Sequence, residues 1–375
     1  MIMTFFPNLR FPGFEGEWKI NRFQEVVKIN QGLQIPISNR LIRPRDGAYF
    51  YITNEFLKDN SEKKFFIKNP PLSVLCNKED ILMTRTGNTG KVVTDVEGAF
   101  HNNFFKVSYP KNIVKGFLYN FLKLPSIQNQ ISKLAGTSTI PDLNHSDFYR
   151  IKFSYPKLEE QRKISEFVSF LDSRIQTQKK IIEQLETLMR ANREKLFSQK
   201  LRFKEEHGND FSAWERKKIK DILTIGSGKD YKHLNNGAIP VYGTGGIITF
   251  VDSFLYDGET VCIGRKGTID KPLYYNGKIW TVDTLFYTHS FNNSVPRFVF
   301  NIFQNINWKE YNEASGVPSL SKNTIEKIEI TIPCLEEQTK IANFLSTIQN
   351  KIETEKQILE KLELQKKFLL ANLFV

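Results

Sequence analysis

Two short segments of the chain bring cations, hydroxyls and bare glycine backbone together: Arg85-Thr86-Gly87-Asn88-Thr89-Gly90-Lys91 and Arg265-Lys266-Gly267-Thr268. A third, Tyr242-Gly243-Thr244-Gly245-Gly246, has the open backbone without the charge. Glycine lets a ligand approach the main chain closely, and guanidinium and ammonium groups neutralise phosphate. Guanidinium, amide and hydroxyl groups also match the edges of bases. The chemistry available to such loops is recognition of a polyanion. Arg85, Thr86, Asn88, Lys91, Lys229, Tyr231, Thr244, Arg265 and Lys266 are therefore candidate contacts to such a polyanion. The competing reading is of hairpin turns with solvated charges, and for the neighbouring rings Tyr231, Tyr242, Phe254 and Tyr256 it is core packing.

Bond-making chemistry is missing. Asn69-Pro70-Pro71-Leu72 looks like the NPP(F/Y) tetrapeptide with which amino-methyltransferases hold a base, but its fourth residue is not aromatic and no cofactor-binding glycine turn precedes it. No G-x-x-x-x-G-K-[ST] run exists to cradle a nucleotide, and Pro141-Asp142 is followed by no D/E-x-K of a nuclease. The five histidines are scattered without metal or triad spacing. Three isolated cysteines, Cys76, Cys262 and Cys334, form neither a disulfide framework nor a zinc pattern. The chain is expected to have no catalytic centre and no metal. Its 53 basic against 41 acidic residues, a net charge of +12, favour a polyanionic partner, nucleic acid or an anionic surface. No apolar run suits a membrane span and the start lacks a secretory pattern, so a cytoplasmic protein is expected.

The elements that must position the loops are written twice. Leu158-Glu159-Glu160-Gln161 returns as Leu335-Glu336-Glu337-Gln338 at an offset of 177 residues. Pro141 and Pro156 return at the same offset as Pro318 and Pro333, and Leu9-Arg10-Phe11 with Trp18 returns as Leu201-Arg202-Phe203 with Trp214. A period of this length is domain-sized. After each LEEQ copy, apolar residues recur in steps of four and three. The first series is Ile164, Val168, Leu171, Ile175, Gln178, Ile182, Leu185, Met189, Asn192, Leu196, and the second is Ile341, Leu345, Ile348, Ile352, Glu355, Leu359, Leu362, Lys366, Leu369, Leu373. Each is a coiled-coil seam with polar interruptions. Polar seam positions fix register or meet a partner helix, so Gln178, Asn192, Glu355 and Lys366 are candidate partner contacts. A helix from Leu158 to Gln199 would span roughly 63 Å. The globular parts show short strand patterns punctuated by Gly, Asn, Pro and Asp. The expected fold is α+β: two α+β domains, 1–157 and 201–334, separated by two long antiparallel coiled-coil helices, 158–200 and 335–375, with an internal pseudo-twofold repeat.

This arrangement resembles the specificity subunit of type I restriction-modification systems. The resemblance covers essentially the whole chain and rests on LEEQRKISEFVSFLDSRI and LEEQTKIANFLSTIQNKI, on TSTIPDL and ASGVPSL, and on LRFPGFEGEW with its echo LRFKEEHGNDFSAW. It implies two target recognition domains, each reading one half of a split sequence in double-stranded DNA. The paired helices would set the spacer and dock two methyltransferase subunits, with restriction (translocase-nuclease) subunits added outside. S-adenosylmethionine, ATP and magnesium would belong to those partners and no cofactor to this chain. Two rivals remain at the level of sequence: a non-catalytic coiled-coil scaffold whose basic domains bind RNA or anionic partners, and, less well supported, a fused methyltransferase.

Overall fold

The computed structural model describes residues 6–58, 61–136 and 140–375. The opening residues 1–5 and the Thr137-Ser138-Thr139 part of TSTIPDL lie outside the described residues. Contacts divide the chain into two compact units, Met1–Thr177 with Leu359–Val375, and Gln178–Ile358. Each long helix is divided between these units. Packing gives the reason. Ile164, Val168 and Leu373 are part of the first unit's hydrophobic core, whereas Met189, Leu196, Ile341, Leu345 and Ile352 are part of the second's.

The long helices run Leu158–Phe197 and Leu335–Leu373. Pro156 and Pro333 stop the preceding strands, and the glutamates of LEEQ fill each first turn, where the helix dipole favours negative charge. Among the twenty seam positions read from the sequence none is exposed. In the second unit Gln178 meets Glu355 while Met189 shares a cleft with Leu345, so the two helix segments run antiparallel there.

Within the first unit, strand Lys19–Arg22 pairs antiparallel with Lys152–Tyr155, which feeds the first long helix. A four-stranded sheet joins Lys28–Gln31, Phe104–Ser108, Ile81–Thr84 and Val92–Val93, and a second joins Phe65–Lys68, Ala48–Ile52, Gly98–Phe100 and Leu75–Cys76. Helices Lys115–Leu122 and Pro125–Leu134 cover the core. Phenylalanine supplies much of that core: Phe23, Phe117, Phe121, Phe148 and Phe153 are at most 1% exposed, and each buried ring contributes about 1.5–3 kcal/mol. The end of the second long helix closes this unit. Phe374 stacks on Phe117 at 4.9 Å, and the Leu9 amide donates to the Asn372 carbonyl at 2.9 Å.

The second unit repeats the frame. Glu215–Lys218 pairs with Glu329–Ile332, and helix Pro296–Asn305 takes the place of Lys115–Leu122. Its insert differs: one six-stranded sheet, ordered Thr224–Ser227, Leu285–His289, Tyr256–Gly264, Leu273–Thr281, Asn236–Gly243, Gly246–Val251, replaces the two four-stranded ones. No helix among the described residues is long and apolar enough to cross a membrane.

Candidate nucleic-acid interface

The repeated motifs turn out to be fasteners. Arg10 of the first LRF donates from Nε and Nη2 to the two oxygens of Glu160, each at 2.8 Å, and Arg202 of the second does the same to Glu337 at 3.1 and 2.7 Å. Both carboxylates are buried, Glu337 completely. Such bidentate pairs are strong and geometrically specific. The glutamine of each LEEQ does a second job. Gln161 accepts from the Val114 amide at 2.9 Å and donates to the carbonyls of Asn112 and Pro156. Gln338 repeats this with Val295, Asn293 and Pro333. Val114 and Val295 are the N-caps of equivalent helices and supply no side-chain cap, so the glutamine satisfies an amide left orphaned at the helix start. The sequence marks these residues as repeated, but periodicity alone assigns them no partner. The pairing signal available was opposite charge retained in both copies, Arg10 with Glu160 and Arg202 with Glu337.

The frame holds the two basic loops in equivalent places. Arg85 follows strand Ile81–Thr84 and Arg265 follows Tyr256–Gly264. The Arg85 carbonyl accepts from the Leu143 amide at 2.9 Å, and the Arg265 carbonyl from Leu320 at 2.9 Å. Thr86 bridges Asp142, and Lys266 bridges Ser319. The IPDL and VPSL stretches are therefore the edges against which the loops are pinned. Left-handed backbone explains the residue types in the first loop: Gly87, Asn88 and Gly90 have φ of 62°, 61° and 91°, a region that glycine and asparagine tolerate best.

Side chains separate the two loops. Arg85 is ion-paired with Asp142 at 2.7 Å and lies over the Phe105 ring, and the Thr86 hydroxyl donates to the same carboxylate. Thr89 donates to the Pro141 carbonyl at 2.7 Å, and Asn54 donates to the carbonyls of Thr86 and Gly87. The polar groups of Arg85 and Thr86, two of the candidate DNA contacts, thus serve Asp142 within the chain. Asn88 and Lys91 remain exposed. In the second loop serine, Ser319, stands where the first has Asp142. Arg265 and Lys266 are exposed and have no carboxylate partner among the described residues. Phe286 lies under the Arg265 guanidinium as Phe105 does under Arg85. The loop borders a cleft of about 460 Å³ with Ser227, Thr284 and Lys322.

Of the remaining candidates, Thr244 is brought beside the second loop, its hydroxyl 3.6 Å from where a methyl on Gly267 would stand. Lys229 is exposed, its main chain fixed by Thr281 and by the Trp280 indole. Tyr231, partly buried, packs against the cluster of Val241, Val251, Trp280 and Val282. The four seam residues all have hydrogen-bond partners within the chain. Gln178 donates to the Glu355 carbonyl at 3.0 Å and to its carboxylate, both residues being buried, so each answers the other. Lys366 ion-pairs with Asp172, and Asn192 donates to the Leu188 carbonyl one turn back. Burial pushes the Cys76 thiol up to about 11 and Cys262 to about 12, which keeps both unreactive. No cluster of metal-ligating side chains occurs among the described residues.

Comparison with known proteins adds to this geometry. Residues 15–187 and 212–364 both match the family described as type I restriction modification DNA specificity domain. The type I restriction enzyme MjaVIII specificity subunit of Methanocaldococcus jannaschii is 26% identical over 98% of this chain and 95% of its own length. The MjaIX specificity subunit of the same organism is 30% identical over 41% of this chain. Among solved structures, the S subunit of a type I restriction-modification system from M. genitalium covers 99% of both chains with a TM-score of 0.68 at 20% identity, a likeness of fold. A chain from a structure concerned with assembly and conformational transition of the type I system covers 95% of this one with a TM-score of 0.55 at 16% identity. With both halves of the repeat matched, the chain belongs to the type I restriction-modification DNA specificity family.

Proposed function

We propose that this chain is the non-catalytic, sequence-reading subunit of a type I restriction-modification complex, and that each compact unit reads one half of an asymmetric, bipartite DNA site. The observation that carries this reading is a duplicated frame holding two different inserts and two differently charged loops. Equal readers would call for a symmetric site, and unequal ones for a split, asymmetric site. Arg265, Lys266, Lys229 and Lys91 would supply phosphate neutralisation, with Thr244 and Asn88 at base edges. The long helices would act as the ruler between half-sites about one helical turn apart and as the seat for two methyltransferase subunits, with restriction subunits outside them. Target adenines would be flipped into a partner's pocket, so S-adenosylmethionine, ATP and magnesium are assigned to the partners. The complex would work in the cytoplasm, on cellular DNA.

Single-molecule sequencing of DNA from cells with and without the gene tests this. Loss of one split N6-methyladenine motif on deletion is the expected result. An unchanged methylome in cells that make the cognate methyltransferase would overturn it and favour a scaffold that does not read DNA.

A further inference from the structure

The first unit carries a second group of cations, away from the loop at Arg85. Leu41 and Phe66 exchange amide-to-carbonyl bonds at 2.8 Å, and the chain re-enters the sheet at Ala48, which pairs with Lys68. Leu41 and strand Ala48–Ile52 therefore flank strand Phe65–Lys68 on opposite sides, and the residues between them, Ile42-Arg43-Pro44-Arg45-Asp46-Gly47, form a crossover arm. Both ends of the arm are fixed. At its start Arg40 Nε donates to the Ile35 carbonyl at 2.9 Å, with the guanidinium 5.3 and 5.5 Å from the Tyr51 and Phe65 rings. At its end the Ala48 amide donates to the Arg45 carbonyl at 2.9 Å, closing a turn in which Gly47 has a φ of 72°.

The side chains between those anchors face water. Arg43, Pro44, Arg45 and Asp46 are exposed, and Ile42 is 76% exposed. Neither Arg43 nor Arg45 makes a hydrogen bond or ion pair with another of the described residues. Pro44 fixes its own φ and drives Arg43 towards extended backbone, so both guanidiniums ride on a single stiffened strand. The loop Asn69-Pro70-Pro71-Leu72 leaves Lys68 beside the turn and holds Leu72 84% exposed. Cationic and apolar side chains thus share one surface. The major groove of DNA admits a helix or a two-stranded ribbon, whereas the minor groove, about 6 Å wide, suits a lone extended chain. Its negative potential over A·T runs attracts inserted arginine, and apolar side chains press on the neighbouring base steps. Position agrees with this match. Strand Ala48–Ile52 separates the arm from Asn54, whose amide holds the Arg85 loop. Five strand residues span roughly 17 Å, which one DNA strand covers in about five nucleotides. The arm and the exposed Asn88 and Lys91 are therefore close enough to serve one half-site.

We propose that Ile42-Arg43-Pro44-Arg45 enters the minor groove of an A·T-containing stretch at or beside the first unit's half-site, supplying there the cations that the latched Arg85 withholds. This rests on the function proposed above and names a reading segment within it. The test is dimethyl sulfate probing of DNA carrying both half-sites, bound by the full chain assembled with its cognate methyltransferase subunits. The reagent marks adenine N3 in the minor groove and guanine N7 in the major groove. The wild-type complex should protect adenine N3 in one half-site or its flank. Arg43→Ala combined with Arg45→Ala should abolish that protection, keep guanine N7 protection elsewhere in the site, and weaken binding about tenfold. Both residues are exposed, so the fold is expected to tolerate the change, and the retained guanine N7 pattern reports an intact complex. Adenine N3 reactivity that is the same in wild type and variant overturns the inference, whatever the affinity, and leaves the proposed function standing. A wild-type complex that protects neither groove overturns both.

Discussion

The loop at Arg85 and the loop at Arg265 sit on the same scaffold, pinned by the same main-chain bonds, yet they offer opposite electrostatics. Asp142 and the Thr86 hydroxyl close the first loop on itself, and Ser319 leaves the second open. With aspartate the guanidinium is latched to its own loop, and with serine it keeps only a 3.5 Å contact to the Asp283 carbonyl. A basic loop read from sequence is therefore a pool of charge whose availability depends on a residue some 57 positions away. The frame itself shows a similar asymmetry. Trp214 Nε1 donates to Glu337 at 3.1 Å, while Trp18 Nε1 is buried without an acceptor.

That last difference yields the largest expected effect. Arg10→Ala strips Glu160 of its only side-chain donor among the described residues and should cost about 3–5 kcal/mol, as for a buried ion pair broken on one side. Arg202→Ala should cost about 1.5 kcal/mol less, the value of the surviving bond from Trp214 to a charged group. Denaturant unfolding of the full chain measures both, and equal losses would erase the asymmetry. Next in size, Arg265→Ala should weaken binding to the cognate DNA by about 1–3 kcal/mol. Arg85→Ala should leave DNA affinity nearly unchanged and instead lower the stability of the first unit. Fluorescence anisotropy of the assembled complex distinguishes them, and matching losses would return Arg85 to the DNA surface. At the seam, Gln178→Ala leaves the buried Glu355 with Lys351 alone and should cost about 1–3 kcal/mol. Replacing both Gln178 and Glu355 by leucine should recover most of that loss, and a double variant less stable than the single would contradict a purely register-fixing role. The smallest effect is on pH. Burial, with Arg40 nearby, holds His101 in the first unit down to about 4 against an ordinary 6.5. The unfolded chain binds a proton in that window and the folded one does not, so stability is full above 6.5 and falls as pH drops towards 4. His101→Gln should flatten the slope of the unfolding midpoint over this range.

Much of the positioning machinery was legible in the sequence and little of the site's electrostatics was. The seam positions follow from helical period, and both long helices begin where Pro156 and Pro333 place them, because local geometry and burial dictate those features. Sheet order in the inserts was not legible: Asn236–Gly243 pairs parallel with Leu273–Thr281 across a long separation that no local pattern encodes. Asp142, dismissed with the absent nuclease motif, became the residue that disarms Arg85. The packing of Tyr231 was not legible for a related reason, since an aromatic beside a glycine loop is drawn into the nearest apolar cluster unless something holds it out. Gln178 and Glu355 were read as equivalent, and that equivalence already contained their pairing: in an antiparallel repeat, matching seam positions near the middle meet each other.

The most direct test exchanges the deciding residue between loops. Ser319→Asp and Asp142→Ser would be assembled separately with the methyltransferase subunits, and the affinity for DNA containing both half-sites measured from low to moderate salt. Disarming the second loop with Ser319→Asp should lower affinity and make the logarithmic salt slope shallower by about one unit, as one phosphate contact is lost. Freeing Arg85 with Asp142→Ser should raise affinity and steepen the slope. Unchanged slopes in both variants would contradict the claim that these loops are the charged face presented to DNA.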